Sequence, residues 1–274
     1  MEKVSKEIEM IAEQYDIDLS KITGSGPNGE VTLQDLEAYI KEHFYPKVKQ
    51  EVKIFGIRNV IANRLSKSYR EAVHVTLNME IKMDNLVEIR EKLAERLGKK
   101  PSYTVLMLKC IAKAIRDFIE INAAIEGDRI IIYDDININI AVDSPIGLIT
   151  PVIRNVDRKS LEELLNDYQD LVERVRQGVI KEKDFVGGTF TVTNLGMFGV
   201  ESFTPIINPP QIAILGVNRI TKKPIVENGE IKMANVMILS LSFDHRAIDG
   251  APAARFLQKV KYYLENPEEV FGDE

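Results

Sequence analysis

The chain has 274 residues, 45% hydrophobic and 28% charged, an ordinary globular composition with room for one large domain or a large and a small one. No apolar run reaches the ~20 residues of a membrane helix, and the charged start MEKVSKEIEM lacks the apolar stretch of a signal peptide. The single cysteine, Cys110, excludes an internal disulfide framework and fits a reducing cytoplasm. A net charge of −6 argues against general nucleic-acid binding, which needs a basic face.

That charge is unevenly placed. Residues 1–42 hold ten Asp/Glu and four Lys, 4 − 10 = −6, so the remainder of the chain sums to zero. Within this stretch residues 5–15 place Ile8, Ile11 and Ala12 at helical spacing. The loop ITGSGPNGEV follows, and Thr32 and Asp35 then have the spacing of a capping box ahead of Leu33, Leu36, Tyr39 and Ile40. Two short helices around a glycine-rich loop make a mini-domain of about 40 residues, near the lower limit for independent folding. Residues 43–52 read as a linker. Gly24-x-Gly26-x-x-Gly29 matches the dinucleotide-binding pattern by letter, but a helix precedes it instead of a strand and Pro27 removes an amide. A tight structural loop is the expected reading.

From residue 53 onward the pattern is mixed α/β. Helices are expected over 57–72, 84–97, 102–120 and 160–177, where apolar residues recur three and four apart. RIIIY, NINIAVD, LITPVI, TFTVTN, QIAILGVNRI and MANVMILSLSF read as strands bounded by Gly, Pro, Asn or Asp. The sheet is too apolar to face water on both sides.

Of the three histidines, His43 lies at the charged end of the mini-domain helix and reads as solvated. His74 opens a strand and reads as a hydrogen-bonded structural residue. Cys110, among Leu106, Met107, Leu108 and Ile111, reads as buried filler. No His, Cys or carboxylate pair has ligand spacing, so no metal is expected. His245 differs: strand alternation through Ile238–Phe243 delivers it to the sheet edge, with Asp249 four residues on ahead of Gly250, and Pro252 suits the first turn of a helix. An imidazole with a pKa near ~6.5 can take and return protons at neutral pH.

The segment LSFDHRAIDGAPAARFL resembles the active-site signature of the dihydrolipoamide acyltransferases, core components of 2-oxoacid dehydrogenase complexes. Residues 187–217, 137–161 and 56–77 are similar to further stretches of that family, in the family's order. DIDLSKITGSGPNGEVTLQDLEAYI resembles its peripheral subunit-binding domain. The resemblance implies three parts: a subunit-binding-like mini-domain at 1–42, a linker at 43–52, and a catalytic domain at 53–274. The catalytic domain should have the chloramphenicol acetyltransferase-like fold, a mixed-sheet sandwich. Family members carry lipoyl domains upstream and this sequence begins without one, so the lipoyl group is expected from another domain or protein. Family arginines on the first helix and after the glycine loop align with Glu9, Glu13 and Glu30, an acidic surface expected to favour a basic partner.

The implied reaction moves an acyl group between dihydrolipoamide and coenzyme A. A thiol of pKa about 8.5 needs a base, for which the resemblance offers His245. The tetrahedral oxyanion needs a fixed donor, for which it offers Thr193, where some members have serine. Asp249 is expected to support the loop carrying His245, with Arg58 before Arg64 as its partner. Coenzyme A contacts are expected at Arg90, Ser102, Asp143, Asn194 and Asn218. The family implies homotrimers with active sites between subunits, assembling into cages, and binding of dehydrogenase and dihydrolipoamide dehydrogenase components through residues 1–42. The competing readings are a stand-alone coenzyme A-dependent acetyltransferase and a non-catalytic scaffold, the latter disfavoured by the presence of His245, Asp249 and Thr193.

Overall fold

The computed structural model describes residues 5–144 and 147–272. The chain divides into two compact units, Met1–Ile54 and Phe55–Glu274.

In the first unit, helix α1 (Lys6–Gln14) starts on Ser5, whose hydroxyl accepts from the Ile8 amide, and α2 (Leu33–Phe44) starts on the expected Thr32–Asp35 capping box. Ile8 and Ala12 of α1 bury against Leu36 and Ile40 of α2. The loop between them is closed by Asp35, whose Oδ2 accepts from the amides of Ser25 and Thr32, both at 2.8 Å, and from the Thr32 hydroxyl at 2.8 Å. The Ser25 amide, then those Thr32 bonds, hold the carboxyl far below the usual carboxylate range. A Cβ on Gly24 would stand 2.3 Å from the carbonyl oxygens of Gly29 and Glu30. The loop folds back on its own backbone, which accounts for this glycine without a nucleotide.

The second unit contains α3 (Gly56–Glu71), β1 (His74–Lys82), α4 (Asp84–Leu97), α5 (Tyr103–Asp117), β2 (Ala123–Glu126), β3 (Arg129–Ile132), β4 (Ile138–Ile140) and β5 (Val152–Ile153). There follow α6 (Leu161–Gln177), β6 (Phe190–Asn194), β7 (Ala213–Val217), β8 (Thr221–Glu227), β9 (Glu230–Asp244), α7 (Gly250–Glu265) and α8 (Glu268–Phe271). Seven strands form a mixed sheet in the order β1-β9-β7-β6-β4-β5, with β8 also on β9, while β2 and β3 form a hairpin apart. The 15-residue β9 is its spine: β1 pairs antiparallel along Val236–Asp244, and β7 and β8 share the opposite edge. Strands β4, β6 and β7 run parallel to one another.

Period-two alternation separates the two faces of this sheet. Phe190, Val192, Leu215, Leu239, Leu241 and Phe243 face a core shared with α5 and α7, where Phe190 meets Phe256 edge-on at 5.9 Å. Each such buried ring contributes about 1.5–3 kcal/mol relative to exposure. Cys110 lies in α5 as the filler expected, and burial pushes its thiol pKa up. The other face carries Thr191, Thr193, Gly216, Ser240, Ser242 and Asp244, all the polar members buried. All of these polar groups but the Thr193 hydroxyl find partners among the described residues. The Thr191 hydroxyl donates to Gln211 Oε1 at 2.6 Å, and Gln211 Nε2 donates to Asn139 Oδ1 at 2.7 Å and to the Gly188 carbonyl at 2.8 Å. A Cβ on Gly188 would come within 1.8 Å of Asn139 Oδ1, so only glycine fits beside this network.

Candidate active site

The end of β9 presents the imidazole. Strand β9 pairs with β1 as far as the His74–Asp244 rung, and the chain then turns into α7, which starts after Asp249 with Pro252 in its first turn. The His245 side chain is 41% exposed, and its Nδ1 lies 3.8 Å from Asp249 Oδ1, beyond hydrogen-bond reach. Farther along the turn, Ile248, Asp249 and Pro252 line a cleft of about 420 Å³ with Phe118, Ile121 and Phe256.

Asp249 does not brace the loop as expected. Its side chain is 83% exposed and makes no hydrogen bond to another described residue, and α7 begins without a side-chain cap. Neither expected arginine reaches it within the chain: Arg64 donates to the Pro209 carbonyl at 2.7 Å, and the Arg58 guanidinium lies beside Gly147. The brace is Asp244, a residue to which the sequence patterns assign no role. This carboxylate is 3% exposed and accepts from the Val73 amide, the Arg246 amide and the Arg246 guanidinium. Burial pushes its pKa up, but those hydrogen bonds outweigh burial and hold it below the usual carboxylate range. An inward-facing position, on the row of Ser240 and Ser242, was the available signal for a carboxylate that needs partners.

The other predicted residues gather elsewhere. Thr193 and Asn194 end β6, Asp143 follows β4, and Asn218 follows β7, so all four stand at the carboxyl ends of the three parallel strands. Ends of parallel strands are where an open sheet leaves room for a ligand. The N-terminus of α5 meets them there: Asn194 Nδ2 donates to the Thr104 hydroxyl at 3.3 Å, and Ser102 caps the helix by accepting from the Val105 amide. Arg90 of α4 joins the cluster, donating from Nε to the Pro101 carbonyl at 2.7 Å and lying 4.2 Å over the Tyr103 ring. The Thr193 hydroxyl, in a residue 9% exposed, makes no hydrogen bond to another described residue. Asn218 is 2% exposed and braces β7 to β9 by donating from Nδ2 to the Ile238 carbonyl and Ser240 Oγ, while its buried Oδ1 has no hydrogen-bond partner among the described residues.

Thr193 and His245 are not brought together in one chain. Thr193 is in register with Gly216, and Gly216 with Ser240, five residues short of His245 (245 − 240 = 5). At about 3.3 Å per residue the two lie roughly 17 Å apart along the strands, with two strand spacings of about 4.8 Å added across the sheet.

Residues 46–272 match the 2-oxoacid dehydrogenases acyltransferase catalytic domain, and residues 9–37 match the E3 binding domain. The chain belongs to the 2-oxoacid dehydrogenase acyltransferase family. Among its curated relatives is the dihydrolipoyllysine-residue acetyltransferase component of the acetoin cleaving system of Bacillus subtilis, 35% identical over 97% of this chain and 69% of that one. The chain spans about two thirds of the length of such relatives. A solved relative, the dihydrolipoamide acetyltransferase of Azotobacter vinelandii, is 33% identical with a TM-score of 0.78, covering 84% of this chain and 96% of that one. The cubic core of a pyruvate dehydrogenase multienzyme complex is 32% identical, also with a TM-score of 0.78, covering 84% of this chain and 96% of that one. The family fold is therefore the one expected from the sequence. In the Azotobacter enzyme, the serine, histidine and asparagine studied for their catalytic roles stand 52 and 4 positions apart. Thr193, His245 and Asp249 stand at the same separations (245 − 193 = 52; 249 − 245 = 4), with threonine and aspartate for serine and asparagine.

Proposed function

We propose that this chain transfers an acyl group between the thiol of a dihydrolipoyl group, supplied by another domain or protein, and the thiol of coenzyme A. The His245 imidazole takes the proton from the attacking thiol, generating the thiolate that is the nucleophile. Attack on the thioester carbonyl forms a carbon–sulfur bond and places a negative charge on oxygen, to which the Thr193 hydroxyl donates. Collapse of that intermediate breaks the other carbon–sulfur bond, and the imidazolium returns its proton to the departing sulfur. The observation that supports the reading most is the pair of uncommitted groups at matching separations: an imidazole and a hydroxyl, neither with a hydrogen-bond partner among the described residues.

In this reading the two groups meet across an interface between copies, since within one chain the sheet holds them far apart. A homotrimer building a larger cage is the assembly proposed. Exposed apolar side chains support it: Phe55, Val60 and Tyr69 on and before α3, and Met197 and Phe198 beyond β6. Arg90, Ser102, Asp143 and Asn194 contact coenzyme A at the parallel strand ends, and Asn218 keeps that end of the sheet in shape. Residues 1–42 dock the dehydrogenase and dihydrolipoamide dehydrogenase components of a 2-oxoacid dehydrogenase complex. The lone buried thiol suits work in the cytoplasm; among the described residues no helix is long and apolar enough to cross a membrane.

The test is direct. The protein is mixed with dihydrolipoamide and, separately, acetyl-, succinyl- and branched-chain acyl-coenzyme A, and loss of each acyl-coenzyme A is followed. Consumption of one or more of them in a dihydrolipoamide-dependent manner is expected. Consumption with a small hydroxylated acceptor in place of the dithiol points to the stand-alone acetyltransferase instead, and none with either acceptor points to a scaffold.

A further inference from the structure

We propose that Asp244 and Arg246 are positioning residues that hold His245 through its main chain, an inference that rests on the reading of His245 as the proton carrier. The β1–β9 ladder stops at the His74–Asp244 rung, so regular strand pairing does not fix the residue that follows. Two hydrogen bonds extend it by one step. The His245 amide donates to the Val73 carbonyl at 2.9 Å, and the Val73 amide donates to Asp244 Oδ1 at 3.2 Å. Val73 is therefore held at both of its polar groups, one by His245 and one by Asp244.

The same carboxylate then shapes the turn. Asp244 Oδ1 accepts from the Arg246 amide at 3.0 Å, closing an Asx turn whose middle residue is His245. The Asp244 carbonyl accepts from the amides of Ala247 at 3.0 Å and Ile248 at 3.2 Å, so the turn is pinned on both sides of the histidine. On the far side of the carboxylate the Arg246 guanidinium binds as a fork, Nη2 to Oδ2 at 2.6 Å and Nε to Oδ1 and Oδ2 at 3.0 and 3.1 Å. Arg246 itself is 44% exposed and reaches in from the surface. A buried carboxylate is costly at a sheet end, where an apolar side chain would close the strand without an ionic partner. What the carboxylate adds is the defined backbone of the exposed residue beside it.

The experiment is a set of double-mutant cycles. Asp244→Asn keeps an acceptor for the Asx turn and removes the charge from the fork, whereas Asp244→Ala removes both. We expect kcat to fall about 10-fold in Asp244→Asn and about 100-fold in Asp244→Ala, the scale of an ångström-level misplacement of a reacting group. KM for dihydrolipoamide and for the acyl-coenzyme A should stay within about twofold. Arg246→Lys, which keeps a point charge but loses the fork, should lose several-fold in kcat. In a His245→Ala background, assayed at high enzyme concentration, none of the three should lower the residual rate further, because a residue that acts only through the imidazole has nothing left to position. Losses that multiply with His245→Ala, or an effect confined to KM, overturn the proposal. If circular dichroism or assembly size shows Asp244→Ala misfolded, the surface variant Arg246→Lys carries the cycle alone. An inactive wild-type protein overturns the functional reading, and this inference with it; an active wild type with multiplying losses overturns this inference only.

Discussion

His74 and His245 stand at the same end of the same strand pair, one opening β1 and the other just past β9, yet the fold uses them in opposite ways. His74 has both ring nitrogens engaged: Nε2 accepts from the Ile207 amide at 3.2 Å, so the proton is on Nδ1, which donates to the Ala72 carbonyl at 3.1 Å. Both nitrogens of this ring thus serve the structure, one on either side of the β1 start. His245 has its main chain held, its ring makes no hydrogen bond to another described residue, and Asp249 Oδ1 lies 3.8 Å from its Nδ1. Placement at a strand end is common to both, so placement alone does not make a proton carrier. The proposed mechanism assigns that role to the ring whose nitrogens make no hydrogen bond to another described residue.

The sharpest way to break that contrast is to remove each ring in turn. His245→Ala should lower kcat by about 10² to 10⁴, the usual cost of losing a general base, while circular dichroism and assembly size stay unchanged. His74→Ala should keep the chemistry and instead lose stability, about 1–3 kcal/mol by denaturant unfolding, because the Ile207 amide is left without its acceptor. A near-normal kcat in the first variant, or a catalytic loss without destabilisation in the second, would reverse the assignment. Next in size comes Thr193→Ala, expected to lower kcat by about 10² to 10³ with little change in KM, whereas Thr193→Ser retains most activity. Co-assembly of His245→Ala with Thr193→Ala copies should recover activity in about a quarter of the sites if each site draws on two copies. No recovery would mean that the hydroxyl and the imidazole do not meet across an interface.

Much of this was legible beforehand, and the exceptions share a cause. The capping box at Thr32 and Asp35, the buried α5 and the alternation in β9 follow from local periodicity and side-chain reach, which a sequence displays directly. Strand β8 was missed because Lys222, Lys223 and Pro224 carry little strand signal, and Pro224 is tolerated there because β8 is an edge strand paired only to β9. Strand β2 was missed because AAIE is too short to show a period. The assignment of loop support to Asp249 instead of Asp244 is a failure of another kind. Partners of Asp244 include Val73, 171 positions away, and no local pattern reports a contact that distant. The separation of Thr193 from His245 likewise depends on strand order and register, which the motifs themselves do not encode.

Asp244 also carries the pH dependence of this region. Its carboxyl is held below the value it would have in the unfolded chain, so the ionised form favours the folded state. That contribution is fully present above about pH 4 and is lost as pH falls through the lower folded-state value. Acid unfolding followed by circular dichroism should therefore shift to lower pH in Asp244→Asn relative to wild type, after correction for its lower stability at neutral pH. An unchanged acid slope would mean that other carboxylates dominate.

The same contrast between committed and uncommitted groups separates the carboxylates of the small N-terminal unit. Asp35 is spent on the loop, bonded to Ser25 and Thr32, whereas Glu9, Glu13 and Glu30 are exposed and their carboxylates make no hydrogen bond or ion pair with another described residue. If the free glutamates serve recognition, a basic surface on a dehydrogenase or dihydrolipoamide dehydrogenase component should associate faster at low salt, because opposite fields steer encounter and salt screens them. Glu9→Lys together with Glu13→Lys in the full chain should then slow association several-fold at low ionic strength, with dissociation nearly unchanged. Asp35→Asn should act differently, loosening the loop and lowering the unfolding temperature of this unit through the lost charge-assisted bonds. Binding that ignores both the double substitution and the salt concentration would leave these glutamates as a solubilising surface, with the contact made elsewhere on the unit.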